Sequence, residues 1–382
     1  METVYENINW CSGCGACKNI CSFGAIQISE NEKGFFYPIV IKEKCKNCQK
    51  CKLTCQACQR IEKSNRQKQM FYTATHKDEQ VLCNSQSGGA FTAISDIVLD
   101  KNGVIYGCVY DINNHRAIHS RATTKEERDK MCGSKYIQSD IGSAFVNVKE
   151  DLQSSKVVLF TGTPCQCDAL KRYLESTYTS DDNLLTVDII CHGVASPLLW
   201  KEHIAYLEKK YKGHIDNIVF RDKSLGWSSH FESFWINGKK RSEENFKQIF
   251  YSNLCLSPSC YECAYADLER FTDITIGDAW RSKRGTEKGQ KGESLIIINS
   301  AKGQTYFEQF KKELQYQPVS IDDYMQLNLI RPSSATDSVE AFWKSYKSFG
   351  YPYILFVFGE TKFINKCYRI IRRTILKLLC SK

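Results

Sequence analysis

Beyond residue 86 the apolar positions of this chain alternate between two rhythms, one of helices and one of buried strands. Ser87-Gly88-Gly89 opens a helix whose Phe91, Ile94 and Val98 recur at helical spacing, and Asn102-Gly103 turns the chain into a strand over residues 104–109. Thr124 with Glu127 makes a capping box for another helix. Residues 156–161 read as a buried strand, Gly162-Thr163-Pro164 as a loop and residues 165–175 as a helix. The unit then repeats: residues 184–191 are a strand, His192-Gly193 a loop, and Ser196-Pro197 an N-cap with proline at the first helical position. Further strands are expected over residues 214–220, 230–236, 273–276 and 295–299, with Asn237-Gly238 as a hairpin turn. Alternating strands and helices predict an α/β body, and the local hairpin makes its sheet mixed. No run reaches 18 uninterrupted apolar residues, so no membrane span is expected.

Ahead of this body stand two cysteine quartets, Cys11-Cys14-Cys17-Cys21 and Cys45-Cys48-Cys51-Cys55, each spaced C-x2-C-x2-C-x3-C and separated by a constant 34 residues. That duplicated spacing is the pattern of a bacterial-type ferredoxin with two 4Fe-4S clusters, in which three cysteines of a run wrap one cube and the fourth crosses to the other. Cys11, Cys14, Cys17 and Cys55 are therefore expected to bind one cluster, and Cys45, Cys48, Cys51 and Cys21 the second. Gly13 and Gly15, lying between ligands, let backbone N–H groups approach the sulfurs. Zinc fits poorly, because its sites are usually two separated C-x2-C pairs or Cys/His mixtures and no histidine lies near. Ser22 and Gln56 stand where the common pattern has proline, and Cys58 is expected to be an inert spare thiol.

At 382 residues the chain has room for two or three domains and a sizeable core. Nine of its twenty cysteines lie in the first 60 residues, a density that would signal disulfides in a short secreted protein. No basic-then-apolar signal segment begins at Met1, and the cluster spacing demands reduced thiols, so a cytoplasmic location is expected. The formal charge of +9 suggests nucleic acid until cofactors are counted. Each cluster with four thiolates carries about −2, so three clusters leave about +3, and no nucleic-acid partner is expected.

Basic charge instead concentrates at the end, where residues 361–382 hold seven Lys/Arg and no Asp/Glu. Ile364, Cys367, Ile371, Ile375 and Leu378 recur every three or four residues, with Lys366, Arg369, Arg373 and Lys377 largely off that line. This predicts a basic amphipathic helix that either packs on its own domain, docks a partner, or lies peripherally on an anionic membrane face.

Seven segments in a fixed order carry a resemblance to a known family. They are Ser87-Gly88-Gly89-Ala90-Phe91-Thr92-Ala93, Gly133-Ser134-Lys135-Tyr136-Ile137-Gln138-Ser139, Phe160-Thr161-Gly162-Thr163-Pro164-Cys165-Gln166, Cys191-His192-Gly193, Phe220-Arg221-Asp222-Lys223, Ser259-Cys260-Tyr261-Glu262-Cys263 and Asp273-Ile274-Thr275-Ile276-Gly277-Asp278. Together they resemble the coenzyme F-420 hydrogenase/dehydrogenase beta subunits, here with a two-cluster ferredoxin domain fused in front. The resemblance covers most of the chain. It implies an FAD-dependent iron-sulfur oxidoreductase that exchanges a hydride with a small organic partner, a deazaflavin in methanogens, and passes single electrons through 4Fe-4S clusters to a redox partner protein.

The resemblance also suggests a third 4Fe-4S cluster, held by Cys165 and Cys191 at the ends of predicted strands together with Cys260 and Cys263. Cys255 is the competing ligand, while Cys83, Cys108, Cys132, Cys167, Cys367 and Cys380 are expected to pack. For FAD, Ser87, Gly88 and Gly89 at a helix N-terminus are expected to offer backbone donors to the pyrophosphate, and Lys135 to stabilise charge on the reduced ring. Ser134, Tyr136, Ser139, Thr161 and Thr163 complete that pocket. Without the resemblance the same residues read as an ordinary N-cap, packing glycines and an exposed lysine. No catalytic residue is assigned: His192 fits a hydrogen-bonded structural role as well as a proton relay, and Asp278 is expected to orient Trp280 or Arg281. The segment after Asp278 departs from the family's usual aromatic followed by Trp-Gly.

The expected architecture is thus a two-cluster ferredoxin domain over residues 1–60, a linker over 61–76, a flavin-binding part over 77–155, a part with the third cluster over 156–345, and the basic tail over 346–382. The rival reading is a non-catalytic electron-relay subunit serving a separate enzyme.

Overall fold

The computed structural model describes residues 3–58, 69–280 and 291–359. Among them, nine strands form one mixed sheet in the order Leu314–Pro318, Met70–His76, Ser294–Ile298, Ile274–Asp278, Leu184–Ile189, Val158–Gly162, Val104–Asp111, Arg116–Ala122 and Ser139–Asp140. The four strands from Ile274–Asp278 to Val104–Asp111 are parallel, with antiparallel partners on either side. Alternate side chains of this centre feed two different cores. Ile105, Leu159, Leu185 and Val187 pack on the helix Ala90–Asp100, whereas Val104, Val158, Phe160 and Leu184 pack on Ala144–Gln153 and Pro164–Ser176. A strand covered on both faces reads as a continuous apolar run, which is why these strands were visible in the sequence.

Asn237 and Gly238 have φ of 51° and 69°, the two positive values that a tight hairpin turn requires, and they close Glu232–Ile236 onto Lys239–Glu243. Ile215–Val219 completes this second, three-stranded sheet. In the first 58 residues Ile26–Glu30 pairs with Phe36–Val40. That hairpin is seated on the body: Phe35 is fully buried, and Ser196 Oγ donates to Lys33 O at 2.5 Å. Gln138 Oε1 accepts the Phe36 N–H at 2.7 Å, taking the place of a strand partner.

Two expected boundaries are corrected. The segment expected as a linker, residues 61–76, ends in the strand Met70–His76, which pairs with Ser294–Ile298 on one side and Leu314–Pro318 on the other. Its Phe, Tyr and Thr residues favour a pleated strand, and sheet pairing outweighs the polar, basic composition just before it. The tail expected from residue 346 likewise begins inside the helix Val339–Phe358, where Tyr351, Ile354, Leu355, Val357 and Phe358 are buried. Gly350, at φ 72°, kinks this helix just ahead of Pro352 and turns its second half into the core. The basic amphipathic helix expected after it, with Cys367 and Cys380, lies outside the described residues. Among the described residues no helix is long and apolar enough to cross a membrane.

Candidate functional site

Parallel pairing sets Gly162 beside Asp188, so the loops leaving these two neighbouring strands emerge at one edge of the sheet. Cys165 lies in the first turn of the helix Pro164–Ser176 that follows one of these strands, and Cys191 on the loop that follows the other. Thr163 and Gln166 form the capping box of Pro164–Ser176, with Thr163 Oγ1 3.1 Å from Cys165 Sγ. Cys260 and Cys263 arrive from a distant loop that is tied down by the Ser257 N–H donating to Val194 O at 2.9 Å. Gly193 makes room for them: a Cβ there would stand 3.3 Å from Cys260 Cβ and 3.4 Å from its Sγ, and its φ of 139° is strained for any side chain.

All four thiols line one cleft of about 840 Å³, part of it open to solvent, together with Trp10, Ser12, Gln56 and Ala57 of the N-terminal segment. Burial pushes the Cys191 thiol up, and Cys260 and Cys263 push it further; Cys260 is raised to about 12 by burial and by Cys263. A group of buried thiols that repel one another's charge needs a cation to become thiolates together.

A second cavity, of about 350 Å³, is lined by Cys11, Cys14, Cys17 and Cys55. Cys55 therefore joins the first quartet's cavity. Burial raises Cys51, and Cys21 and Cys48 raise it further, so these three share one neighbourhood. Cys45 Sγ lies 3.7 Å from Asn47 Oδ1. The two cavities share Ser12, Gln56 and Ala57 as walls, and charge on Cys14 is felt at Cys165.

Among the described residues, the one trio of histidine, cysteine and carboxylate ligand atoms within 4.8 Å of one another is His115, Glu208 and His214. No three of the cysteine sulfurs above meet within that span, whereas sulfurs around a tetrahedral zinc stand about 3.8 Å apart. Four thiols line each of the two cavities, the donor type and number that an iron-sulfur cube takes.

The residues expected around FAD divide into those using their polar atoms within the protein and those beside unsatisfied ones. Ser87 Oγ donates to Glu293 O at 2.7 Å, the Gly88 N–H donates to Ser294 Oγ at 2.9 Å, and a Cβ on Gly88 would stand 2.1 Å from Ala74 O. Gly88 thus seats the loop against the sheet, and its N–H is already engaged. Lys135 Nζ donates to the carbonyls of Lys130, Met131 and Cys132 at 3.2, 2.9 and 3.1 Å, and burial lowers its pKa. Ser139 Oγ accepts from Gln166 Nε2 at 2.8 Å and lies 3.4 Å from His119 Nδ1. The Thr161 backbone bonds His119 as well. Gly133, next to Ser134, faces Gln86, next to Ser87. Gln86 Nε2, His119 Nε2 and His230 Nε2 are buried without a hydrogen-bond partner among the described residues. Such atoms beside Ser87, Ser139 and Thr161 suit a polar cofactor, since leaving them unpaired costs about 1–3 kcal/mol each.

Tyr136 leads into an aromatic group that the sequence did not single out. It stacks on Phe250 at 4.9 Å and accepts from Tyr251 OH at 3.4 Å; Tyr251 stacks on His230 at 4.8 Å, and Trp280 stacks on Trp227 at 5.2 Å. Arg221 binds these rings to Asp278 through a buried ion pair of 2.7 Å and lies over the Trp280 ring at 4.8 Å. Asp278 also accepts from Trp227 Nε1 at 2.8 Å, so its partners are Arg221 and Trp227. The signal available was Phe220-Arg221-Asp222-Lys223 itself, a segment of the resemblance that carried no assigned role. His192 Nε2 lies 2.8 Å from Asn253 Oδ1, its ring rests against Phe250 and Tyr251, and burial lowers its pKa. Cys255 is fully buried in the main core and does not line the cysteine cleft.

Comparison with known proteins gives three findings. Residues 155–323 match the family model for the C-terminal region of the coenzyme F420 hydrogenase/dehydrogenase beta subunit. An uncharacterized protein of Methanocaldococcus jannaschii is 28% identical over 337 residues, 80% of this chain and 88% of that protein. One polypeptide of the F420-reducing NiFe hydrogenase complex from Methanosarcina barkeri aligns with a TM-score of 0.47 and 16% identity, over 65% of this chain and 82% of that one.

Proposed function

We propose that this chain, whose residues 155–323 belong to the coenzyme F420 hydrogenase/dehydrogenase beta subunit family, is a flavin-dependent iron-sulfur oxidoreductase that exchanges a hydride with a small organic partner, a deazaflavin being the first to test. A flavin supplies the conversion between hydride pairs and single electrons, and 4Fe-4S clusters carry those electrons one at a time. The observation that supports this reading is the shared wall of Ser12, Gln56 and Ala57 between the Cys165/Cys191/Cys260/Cys263 cleft and the Cys11/Cys14/Cys17/Cys55 cavity.

Each residue has a role in that scheme. Cys165, Cys191, Cys260 and Cys263 hold the inner cluster, Cys11, Cys14, Cys17 and Cys55 the middle one, and Cys45, Cys48, Cys51 and Cys21 the outer one. Ser87, Gly89, Ser134, Tyr136, Ser139, Thr161 and Thr163 line the flavin groove, Gly88 seats its loop, and Lys135 adds positive charge beside it. Arg221, fixed by Asp278, sets a second positive charge among the rings.

Anaerobic reconstitution tests the proposal. Full-length protein is expected to hold about twelve irons and one FAD per chain, and Cys165→Ser to lower iron by about four. Flavin bleaching by reduced deazaflavin, NADH or NADPH identifies the partner. Bleaching by dithionite alone would instead mark a relay subunit, and about eight irons with no flavin would overturn the reading.

A further inference from the structure

Away from the cysteine cleft, three ligating side chains from two separate parts of the chain meet. His115 lies in the turn joining Val104–Asp111 to Arg116–Ala122. Glu208 lies in the last turn of Pro197–Tyr211, and Lys212, left-handed at φ 54°, ends that helix and folds His214 back beside it. Glu208 Oε1 is 2.7 Å from His214 Nδ1 and accepts the Ile215 N–H at 2.9 Å. The His115 and His214 rings are 5.9 Å apart, and ligand atoms of all three residues fall within 4.8 Å of one another.

We propose that His115, Glu208 and His214 form a binding site for one divalent cation of the zinc class, through two imidazole nitrogens and one carboxylate oxygen. That donor set suits zinc and its neighbours; calcium and magnesium prefer oxygen. Bonds of about 2.0–2.2 Å to a tetrahedral ion put ligand atoms about 3.4 Å apart, longer than the 2.7 Å Glu208–His214 contact and inside the 4.8 Å that spans all three. Three protein ligands leave a fourth position for water, which the exposed His214 makes accessible.

The surroundings prepare the ligands. His115 Nδ1 is 3.2 Å from the Tyr110 hydroxyl, whose oxygen accepts from Trp200 Nε1 at 2.9 Å. In the tautomer whose Nδ1–H donates to Tyr110, the lone pair of His115 is on Nε2, and a ligating imidazole commonly has such a partner behind it. Asp111 fixes the turn by accepting the N–H groups of Asn113 and Asn114 at 3.1 and 3.3 Å. A Glu208–His214 ion pair alone uses neither the second imidazole nor its backing by Tyr110. The bound ion would fasten the hairpin turn to the helix end.

The test uses iron-loaded, full-length protein dialysed anaerobically against zinc chloride, followed by elemental analysis. About one zinc per chain beyond the iron is expected, falling to none in His214→Ala and in His115→Gln while iron stays constant. Zinc should raise the melting temperature of the unsubstituted protein and leave that of His214→Ala unchanged. Because His214 is exposed, its removal leaves the fold intact. Equal zinc in the unsubstituted protein and His214→Ala, the result if cysteines were taking it up, or no zinc in either, overturns the proposal.

Discussion

The Tyr265 hydroxyl hydrogen-bonds the side-chain oxygen of Gln56, 209 positions away. Gln56 Nε2 donates to Ser12 Oγ at 2.5 Å, and the Ser12 hydroxyl bonds the Cys14 sulfur. Burial raises the Cys14 pKa, and the Ala16 N–H and Ser12 oppose that rise. A chain of polar contacts therefore runs from Tyr265, whose single hydroxyl proton faces both Gln56 Oε1 and Asp168 Oδ2, the latter at 2.6 Å, to a sulfur of the N-terminal set. It gives Gln56, the departure from the usual proline, a structural reason.

Donors to sulfur stabilise the reduced, more negative cluster, so their loss lowers the potential. Ser12→Ala, which removes the donor itself, is expected to shift the midpoint of the cluster at Cys14 by on the order of −50 mV, equivalent to about 1 kcal/mol. Gln56→Pro should shift it in the same direction and less. A redox titration followed by electron paramagnetic resonance reads both; unchanged midpoints would show that the chain has no electronic effect.

Cys55 shares a cavity with Cys11, Cys14 and Cys17. Cys55→Ser is expected to cost about four irons per chain and to leave the signal of the cluster at Cys45, Cys48 and Cys51 in place. Iron content equal to that of the unsubstituted protein would refute the crossed ligand set.

Gly13 has φ 68°, and a Cβ there would stand 2.4 Å from both Gln138 Nε2 and Phe36 O. Gly13→Ala adds a steric clash to backbone strain and should loosen the N-terminal module by about 2–4 kcal/mol. Gln138→Ala, which leaves the Phe36 N–H unpaired, should cost about 1–3 kcal/mol. Hydrogen exchange at residues 26–40 is the measurement, with faster exchange in both variants.

Lys223 Nζ donates to the carbonyls of Leu82, Ser85 and Ser87 at 2.6, 3.1 and 2.7 Å, and burial pulls its pKa down to about 8 against Cys83 and Asp278, which raise it. The unfolded chain, with a lysine pKa of about 10.4, holds this proton more tightly. Stability from this residue therefore rises with pH between about 8 and 10.4 and is lost as pH falls through that window, by on the order of 1–2 kcal/mol after solvent screening. Urea unfolding at several pH values should show this slope in the unsubstituted protein and its absence in Lys223→Met.

The two cysteine quartets are legible in the chain's order alone, because the three ligands proposed to wrap one cube need a fixed local spacing. That order also established the buried parallel strands, since burial on both faces leaves an uninterrupted apolar run. The Asn237-Gly238 turn was equally plain, as few residue pairs accept two positive φ values. Only the tertiary structure decided what these parts meet. The strand Met70–His76 was hidden because its identity depends on partners more than 200 residues away. The pairing of Arg221 with Asp278, the hold of Gln138 on Phe36, the reach of Tyr265 to Gln56 and the meeting of His115 with Glu208 and His214 were hidden for the same reason. Periodicity reports which face of an element is buried, whereas the partner across a packed interface is chosen by the whole topology.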